Sequence, residues 1–257
     1  MRRKPLAGKG IVVTRPAHQA AELTRLIRTA GGRPLPFPVI EIRDIDDLAP
    51  VHAVIDRLDE FSVAVFVSPN AAEKGMALVR ARRAWPPKLK AAAVGSGGVK
   101  ALERHGLTDV IAPVDRFDSE ALLELPVFAL VYGKRIVVFR GIGGRELLSE
   151  TLRERGAVIE YAECYRRIRP HLDTAPLLHA WTRKELDAIT VTSSEGLRNL
   201  LDMVGAPGRE QILNTPLFVP HPRIAETASE LGIRKVIVTG PGDGGLLTGL
   251  SNYFNKA

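Results

Sequence analysis

Short apolar runs recur along the chain, each bounded by turn residues. Ile11–Val13, Val63–Val67, Ala91–Val94 and Val110–Ile111 lie in the first half; Ile136–Phe139, Val158–Tyr161, Ala188–Val191, Leu217–Val219 and Val236–Val238 follow in the second. Runs this short and this uninterrupted predict strands of a parallel sheet buried on both faces. Between them the spacing changes to that of helices. Ala20–Ala30 places Leu23, Leu26 and Ile27 on one face and stops at Gly31-Gly32, a glycine C-cap. Ala71–Arg83 follows Ser68-Pro69, which supplies an N-cap serine and a proline at the first helical position. Thr192-Ser193-Ser194-Glu195 has capping-box spacing ahead of a helix over Gly196–Met203. Strand and helix alternating throughout predict an α/β protein with doubly wound parallel sheets.

The pattern also repeats. Lys9-Gly10-Ile11-Val12-Val13-Thr14-Arg15 resembles Lys134-Arg135-Ile136-Val137-Val138-Phe139-Arg140, an offset of 125 residues. The same offset carries Leu23, Ile27 and Gly31 to Leu148, Leu152 and Gly156, and Ser68-Pro69-Asn70 to Ser193-Ser194-Glu195. It also carries Asp118 and Leu122 to Asp243 and Leu247. One offset serving the whole length divides the 257 residues into two related halves.

Composition narrows the class. With 45% hydrophobic, 25% charged and 5% aromatic residues, the chain reads as an ordinary soluble globular protein, not a disordered or fibrous one. No run reaches the roughly 18–20 apolar residues of a membrane span. The basic start, Met1-Arg2-Arg3-Lys4-Pro5, is followed by Gly8-Lys9-Gly10 and not by the apolar stretch of an export signal, so the expected location is cytoplasmic. A single cysteine, Cys164, excludes an internal disulfide framework. The 36 Lys+Arg against 29 Asp+Glu give a net charge of +7, and 26 of the cations are arginine. Arginine's planar fork suits carboxylate and phosphate, so the surplus points toward an anionic partner, although a GC-rich genome produces the same bias.

The loops after the strands carry the candidate chemistry. They are Thr14-Arg15-Pro16, Ser68-Pro69-Asn70, Gly95-Ser96-Gly97-Gly98, Arg140-Gly141, Ser193-Ser194 and Pro220-His221-Pro222-Arg223. Such loops in doubly wound sheets lie where helix N-termini present bare N–H groups. Here they are small, hydroxylated, punctuated by arginine and nearly free of acids, which suits a ligand with several carboxylates or phosphates. Short turns of any α/β protein are rich in Gly, Ser and Pro, so only their repetition carries weight. Familiar motifs fail. Gly141-Ile142-Gly143-Gly144-Arg145-Glu146 and Gly95-Ser96-Gly97-Gly98-Val99-Lys100 both lack the third glycine of a dinucleotide fingerprint, and no P-loop appears. His18, His52, His105, His171, His179 and His221 show no metal-ligand spacing, so no metal site is expected. Ser193 and Ser194 lack a nucleophile elbow and read as caps. No nucleic-acid-binding signature accompanies the basic surplus. Tyr165, in the extended polar segment Glu163–Arg169, reads from position alone as a strand tyrosine with a solvated tip.

Several blocks together resemble the uroporphyrinogen-III synthase (HemD) family. They are Gly10-Ile11-Val12-Val13-Thr14-Arg15-Pro16, Phe66-Val67-Ser68-Pro69-Asn70-Ala71, Ala93-Val94-Gly95-Ser96-Gly97 and Phe117-Asp118-Ser119-Glu120-Ala121-Leu122-Leu123. Val138-Phe139-Arg140-Gly141, Cys164-Tyr165-Arg166-Arg167, Val191-Thr192-Ser193-Ser194-Glu195 and Pro220-His221-Pro222-Arg223-Ile224-Ala225 continue them in the family's order. One departure is Gly95-Ser96-Gly97-Gly98 in place of a more common Gly-Pro-Gly-Thr.

The resemblance implies two Rossmann- or flavodoxin-like lobes joined by a two-stranded antiparallel linker. Residues 1–37 and 171–257 would form one lobe, 43–162 the other, and 38–42 with 163–170 the linkers, the active site lying in the cleft between lobes. It implies that hydroxymethylbilane, a linear octacarboxylate tetrapyrrole, is cyclised to uroporphyrinogen III with inversion of ring D and loss of water. No cofactor is needed. Departure of the terminal hydroxyl gives an azafulvene-type cation; ring D attacks at its substituted carbon, and the resulting spiro intermediate fragments and recloses. Since free substrate closes to the type I isomer, the enzyme's main task is positioning. Tyr165 is implied as the catalytic residue. Thr14, Arg15, Pro16, Ser68, Pro69, Asn70, Gly95, Ser96, Gly97, Gly98, Arg140, Gly141, Ser193, Ser194, Pro220, His221, Pro222, Arg223 and Ile224 are implied as substrate-binding. A monomer is expected, in transient contact with hydroxymethylbilane synthase and with neither nucleic acid nor membrane. Two alternatives stay open: a noncatalytic HemD-like tetrapyrrole-binding or regulatory module, and a nucleotide-binding oxidoreductase.

Overall fold

The computed structural model describes residues 4–114 and 116–255; the first part of the basic start, Met1-Arg2-Arg3, lies outside them. The chain divides into two compact units. Unit 1 contains residues 1–41 and 168–257, and unit 2 contains the continuous stretch 42–167.

Unit 1 opens with β1 (Gly10–Val13), α1 (Ala21–Thr29) and β2 (Arg33–Pro36), after which β3 (Glu41–Arg43) leads into unit 2. Unit 2 continues with α2 (Ala49–Ile55), β4 (Val63–Phe66), α3 (Pro69–Arg82), β5 (Lys90–Ala93) and α4 (Ser96–Arg104). Then come α5 (Ser119–Leu123), α6 (Pro126–Ala129), β6 (Arg135–Gly141), α7 (Leu147–Glu154) and β7 (Val158–Ile168). Unit 1 resumes with α8 (Ala175–Thr182), β8 (Ala188–Thr190), α9 (Ser194–Asn214), β9 (Leu217–Val219), α10 (Pro222–Glu230), β10 (Val236–Val238) and α11 (Gly242–Asn255).

The sheet of unit 1 runs β10-β9-β8-β1-β2, and its neighbours pair in parallel. The winding reverses beside β1, which pairs with β2 on one side and with β8 on the other. Crevices at such reversals are where open α/β sheets hold ligands. The sheet of unit 2 runs β3-β7-β6-β4-β5, with β7, β6, β4 and β5 parallel.

Burial explains the unbroken apolar runs. Along β4 successive side chains enter opposite cores: Ala64 and Phe66 pack with α2, α3 and α4, whereas Val63 and Val65 pack with α5, α6 and α7. In unit 1, Ile11 and Val13 share a core with Leu23 and Ile27 of α1 and Leu246 and Leu250 of α11. The internal repeat holds at the level of caps. Ser68 and Ser193 each accept a hydrogen bond from the backbone N–H three residues on, Ala71 at 3.1 Å and Gly196 at 3.0 Å. Gly31 and Gly156 each take positive φ, +90° and +83°, just after a helix.

Local expectations need correction. Ser193, not Thr192, caps α9, and the helical stretch expected to end near Met203 extends to Asn214 across a break at Gly205, φ +58°, before Pro207. Val110–Ile111 forms no strand; Ile111 makes one parallel bridge to Ala92. Gly95-Ser96-Gly97-Gly98 is not all loop, because Ser96 opens α4. Strand β7 does not stop at Tyr161 but continues to Ile168, pairing with β6 as far as Gly141↔Tyr165.

Candidate functional site

In unit 2 the candidate residues gather around Tyr165, placed there by a slip of register. Pairing of β6 with β7 runs Arg140↔Glu163 and then Gly141↔Tyr165, leaving Cys164 as an extra residue. Strict alternation would put Tyr165 on the face of Ile159 and Tyr161. The bulge instead turns it into the opposite core beside Ala162 and Cys164. Bulges near functional sites commonly re-aim a side chain in this way.

Tyr165 is 1% exposed, which overturns the expectation of a solvated tip. Its hydroxyl lies 3.1 Å from Ser68 Oγ, with either oxygen able to donate. The ring lies against Gly141, where an added Cβ would come within 2.6 Å of Cε2. Ile142 N–H closes the clamp by donating to the Tyr165 carbonyl at 2.8 Å. Pro69 in turn lies against Gly97, whose added Cβ would stand 2.9 Å from Pro69 Cγ. Gly141, Tyr165, Ser68, Pro69 and Gly97 therefore form one contiguous set. Asn70 follows in the first turn of α3, while Gly95 caps α4 with no side chain and Ser96 is exposed beside it. Gly98 is buried, its Cα facing the Ala93 side chain.

Arg140 does not stand ready for a ligand as expected. It is 4% exposed, donates to the carbonyls of Gly141 and Gly143 at 3.3 and 3.2 Å, and pairs with Glu146 at 2.6 Å. Its guanidinium also lies 4.7 Å from the Tyr161 ring centroid. Glu146 accepts a second hydrogen bond from the Tyr161 hydroxyl. That bond, and then Arg140, hold the Glu146 carboxyl below the usual range. The two residues that occupy Arg140, Glu146 and Tyr161, escaped sequence reasoning. The only signal for Glu146 was negative, a glutamate where a dinucleotide fingerprint needs glycine. Cys164 lies behind Tyr165, its thiol pushed up to about 12 by burial.

In unit 1 the candidates sit past the carboxyl ends of β1, β8 and β9. Thr14 is buried and donates to the Thr190 carbonyl at 2.8 Å, so its hydroxyl serves the β1–β8 seam. Pro16 precedes a short helical turn at Ala17–Gln19. Ser193 caps α9, and Ser194 Oγ lies 2.9 Å from Thr227 Oγ1 of α10, tying the start of α9 to the body of α10. Pro220 ends β9; His221 caps α10, its Nδ1 accepting from Arg223 N–H at 3.2 Å, with Pro222 at the first helical position. Arg223 is exposed and Ile224 buried. Arg15 Nη2 lies 3.0 Å from Asp243 Oδ1 of α11. Burial raises the Asp243 carboxyl above its ordinary range against the opposing effect of Arg15. Asp243 is a further residue that sequence reasoning did not place at the site, although the repeat had matched it to Asp118.

Comparison with known proteins identifies the family. A family model described as uroporphyrinogen-III synthase HemD matches residues 21–247. The chain is 33% identical over 235 residues to the uroporphyrinogen-III synthase of Escherichia coli K12, covering 91% of this chain and 96% of that one. It is 34% identical over the same share to the Salmonella typhimurium LT2 protein of that name. A crystal structure of a mutant uroporphyrinogen III synthase from the extremely thermophilic bacterium Thermus thermophilus shares the fold, with a TM-score of 0.66 at 18% identity, covering 97% of this chain and 100% of that one. The α/β chain with its two five-stranded sheets belongs to the uroporphyrinogen-III synthase family.

Proposed function

We propose that the chain cyclises hydroxymethylbilane to uroporphyrinogen III, with loss of water and inversion of ring D. The observation that carries the chemistry is the buried Tyr165 hydroxyl 3.1 Å behind the half-buried Ser68 hydroxyl. Ser68 Oγ has two lone pairs, one taken by Ala71 N–H and one open to Tyr165. With Tyr165 as the donor of that pair, the Ser68 proton is left to donate to the oxygen that leaves the substrate. Charge builds on that oxygen as the C–O bond breaks, and an oriented donor in a poorly solvated place stabilises it. Tyr165 thus acts through Ser68, and Gly141 and Ile142 hold its ring still.

The carboxylates of the substrate meet helix N-termini. Gly95 leaves α4 without a side-chain cap, and the starts of α9 and α10 carry small hydroxylated or exposed residues. Arg15 and Arg223 supply cationic ends on the same edge of the sheet of unit 1, whereas buried Arg140 contributes by shaping the Gly141–Gly144 turn. Held through its carboxylates, the tetrapyrrole keeps ring D oriented for attack at its substituted carbon.

Purified protein given freshly made hydroxymethylbilane is expected to yield mostly type III isomer on chromatography of the oxidised products; type I alone overturns the proposal. Tyr165→Phe is expected to lose most of the rate while keeping its far-ultraviolet circular dichroism. Full turnover by that variant removes Tyr165 from the reaction.

A further inference from the structure

The internal repeat pairs Arg15 with Arg140 and Asp243 with Asp118, but the two pairs are used differently. Asp118 in unit 2 caps α5, accepting from Ala121 N–H at 2.7 Å. Asp243, its counterpart in the repeat, lies in the first turn of α11 and faces Arg15 instead. Arg140 is 4% exposed and fastened by Glu146 and two backbone carbonyls. Arg15 has no such fastening. Its Nη2 and Asp243 Oδ1 are 3.0 Å apart without the alignment of a hydrogen bond, and both Arg15 Nε and Asp243 Oδ1 are buried with no hydrogen-bond partner. Each side chain keeps 19% of its surface exposed, so solvent reaches the pair.

A guanidinium half out of water satisfies its donors best with a bidentate carboxylate. One oblique contact leaves part of that capacity unused. The carboxylate facing Arg15 also carries the desolvation cost of burial. The pair is thus attractive enough to hold Arg15 in place and poor enough to be exchanged.

We infer that Asp243 is a displaceable internal counter-ion for Arg15, standing where a carboxylate of the anionic substrate binds and setting the affinity for it. The inference rests on the reading of the ligand as a polycarboxylate and deepens it. When substrate arrives, its carboxylate takes the Arg15 fork, and Asp243, already partly exposed, gives way toward solvent. Loss of the Asp243 charge then favours substrate, the reverse of what a supporting residue shows.

The test compares KM for hydroxymethylbilane in the wild type, Asp243→Asn, Arg15→Gln and the double variant, with circular dichroism on each. Asp243→Asn is expected to lower KM by about five- to tenfold, the scale of one charge-assisted hydrogen bond. Arg15→Gln is expected to raise it by a similar factor. In the Arg15→Gln background the Asp243→Asn effect is expected to vanish, since the competition needs both partners. Asp243→Ser, which also removes the charge, is expected to reproduce Asp243→Asn and serves if the asparagine variant folds poorly. An unchanged or raised KM in both Asp243 variants overturns the inference, as does a lowered KM that persists without Arg15. Wild-type product separates this from the reading beneath it: type I isomer alone sinks the activity, whereas type III isomer with an unmoved KM sinks only the role of Asp243.

Discussion

Gly141→Ala tests the clamp on Tyr165. The new Cβ would lie 2.6 Å from Cε2, 2.8 Å from Cζ and 3.1 Å from Cδ2 of the ring. The ring cannot easily retreat, because it is 1% exposed, its hydroxyl is held by Ser68 and its carbonyl by Ile142. Overpacking of this kind costs about 1–3 kcal/mol. Against this, alanine restricts the unfolded chain more than glycine does, returning roughly 0.4–1 kcal/mol. Gly141 is not among the residues with positive φ, so no backbone penalty enters. The net expectation is a loss of about 1–2 kcal/mol from unit 2, and with a urea slope near 2 kcal/mol per molar the midpoint falls by about 0.5–1 M. The assay uses the two tryptophans. In a Trp181→Phe background only Trp85 reports, and it lies in unit 2. Gly244→Ala is the control. With open space where its Cβ would go and a helical position in α11, it is expected to stabilise unit 1 by about 0.4–1 kcal/mol, read from Trp181 after Trp85→Phe. If Gly141→Ala leaves the Trp85 midpoint unmoved, the ring is not clamped and the argument for a fixed Tyr165 fails.

Ser68→Ala removes both a helix cap and the partner of a buried hydroxyl, and is expected to cost about 2 kcal/mol in urea unfolding; Ser68→Thr should recover most of it. A loss below 0.5 kcal/mol on this roughly ±0.5 kcal/mol scale would deny the dual role. The lowered Glu146 carboxyl stabilises the fold fully above the ordinary glutamate value of 4.5 and loses that contribution as pH falls through its native value. The stability gap between wild type and Glu146→Gln, at most about 1 kcal/mol because the carboxylate is partly exposed, should therefore close in acid. A gap independent of pH would remove the ion pair as its cause. Cys164, buried with its thiol pushed up to about 12, is expected to resist Ellman's reagent in the native protein and to react at once after unfolding; fast native labelling would contradict its burial.

Most strands were legible because both faces of their sheets are buried. Val63–Phe66 is apolar at every position since neighbouring residues serve two different cores. Arg33–Pro36 was not legible: its two prolines argue against a strand, yet β2 is an edge strand, where missing N–H groups are tolerated. The helix starting at Ser68-Pro69 was announced by two independent signals, a capping oxygen and a proline at the first position. Glycines that begin a helix, as Gly95 to Gly98 do, carry no such mark. At the site the residue types were legible and their commitments were not. Period-two reasoning puts Tyr165 on the same face as Tyr161, because no glycine or proline within β7 itself marks the bulge that turns it over. Arg140 and Arg15 occupy equivalent places in the repeat, and only packing distinguishes them. One meets Glu146 from the following turn, and the other meets Asp243 from the far end of the chain.

The central strand of unit 1 is made early and partnered late. Gly10–Val13 leaves the ribosome with β2 soon behind it, but its other neighbour, β8, is encoded some 176 residues later, as the Thr14–Thr190 bond measures. Everything from residue 42 to residue 167 intervenes as a self-contained insertion. Synthesis therefore imposes an order. The inserted unit has all its parts before the enclosing one has three strands, and until then a fully apolar strand waits with one edge open. Ribosome pausing, chaperone capture and aggregation during expression should all concentrate on that interval. A circular permutant beginning at residue 168, with residue 257 joined to residue 1, would deliver β8, β9, β10, β1 and β2 consecutively and abolish the wait.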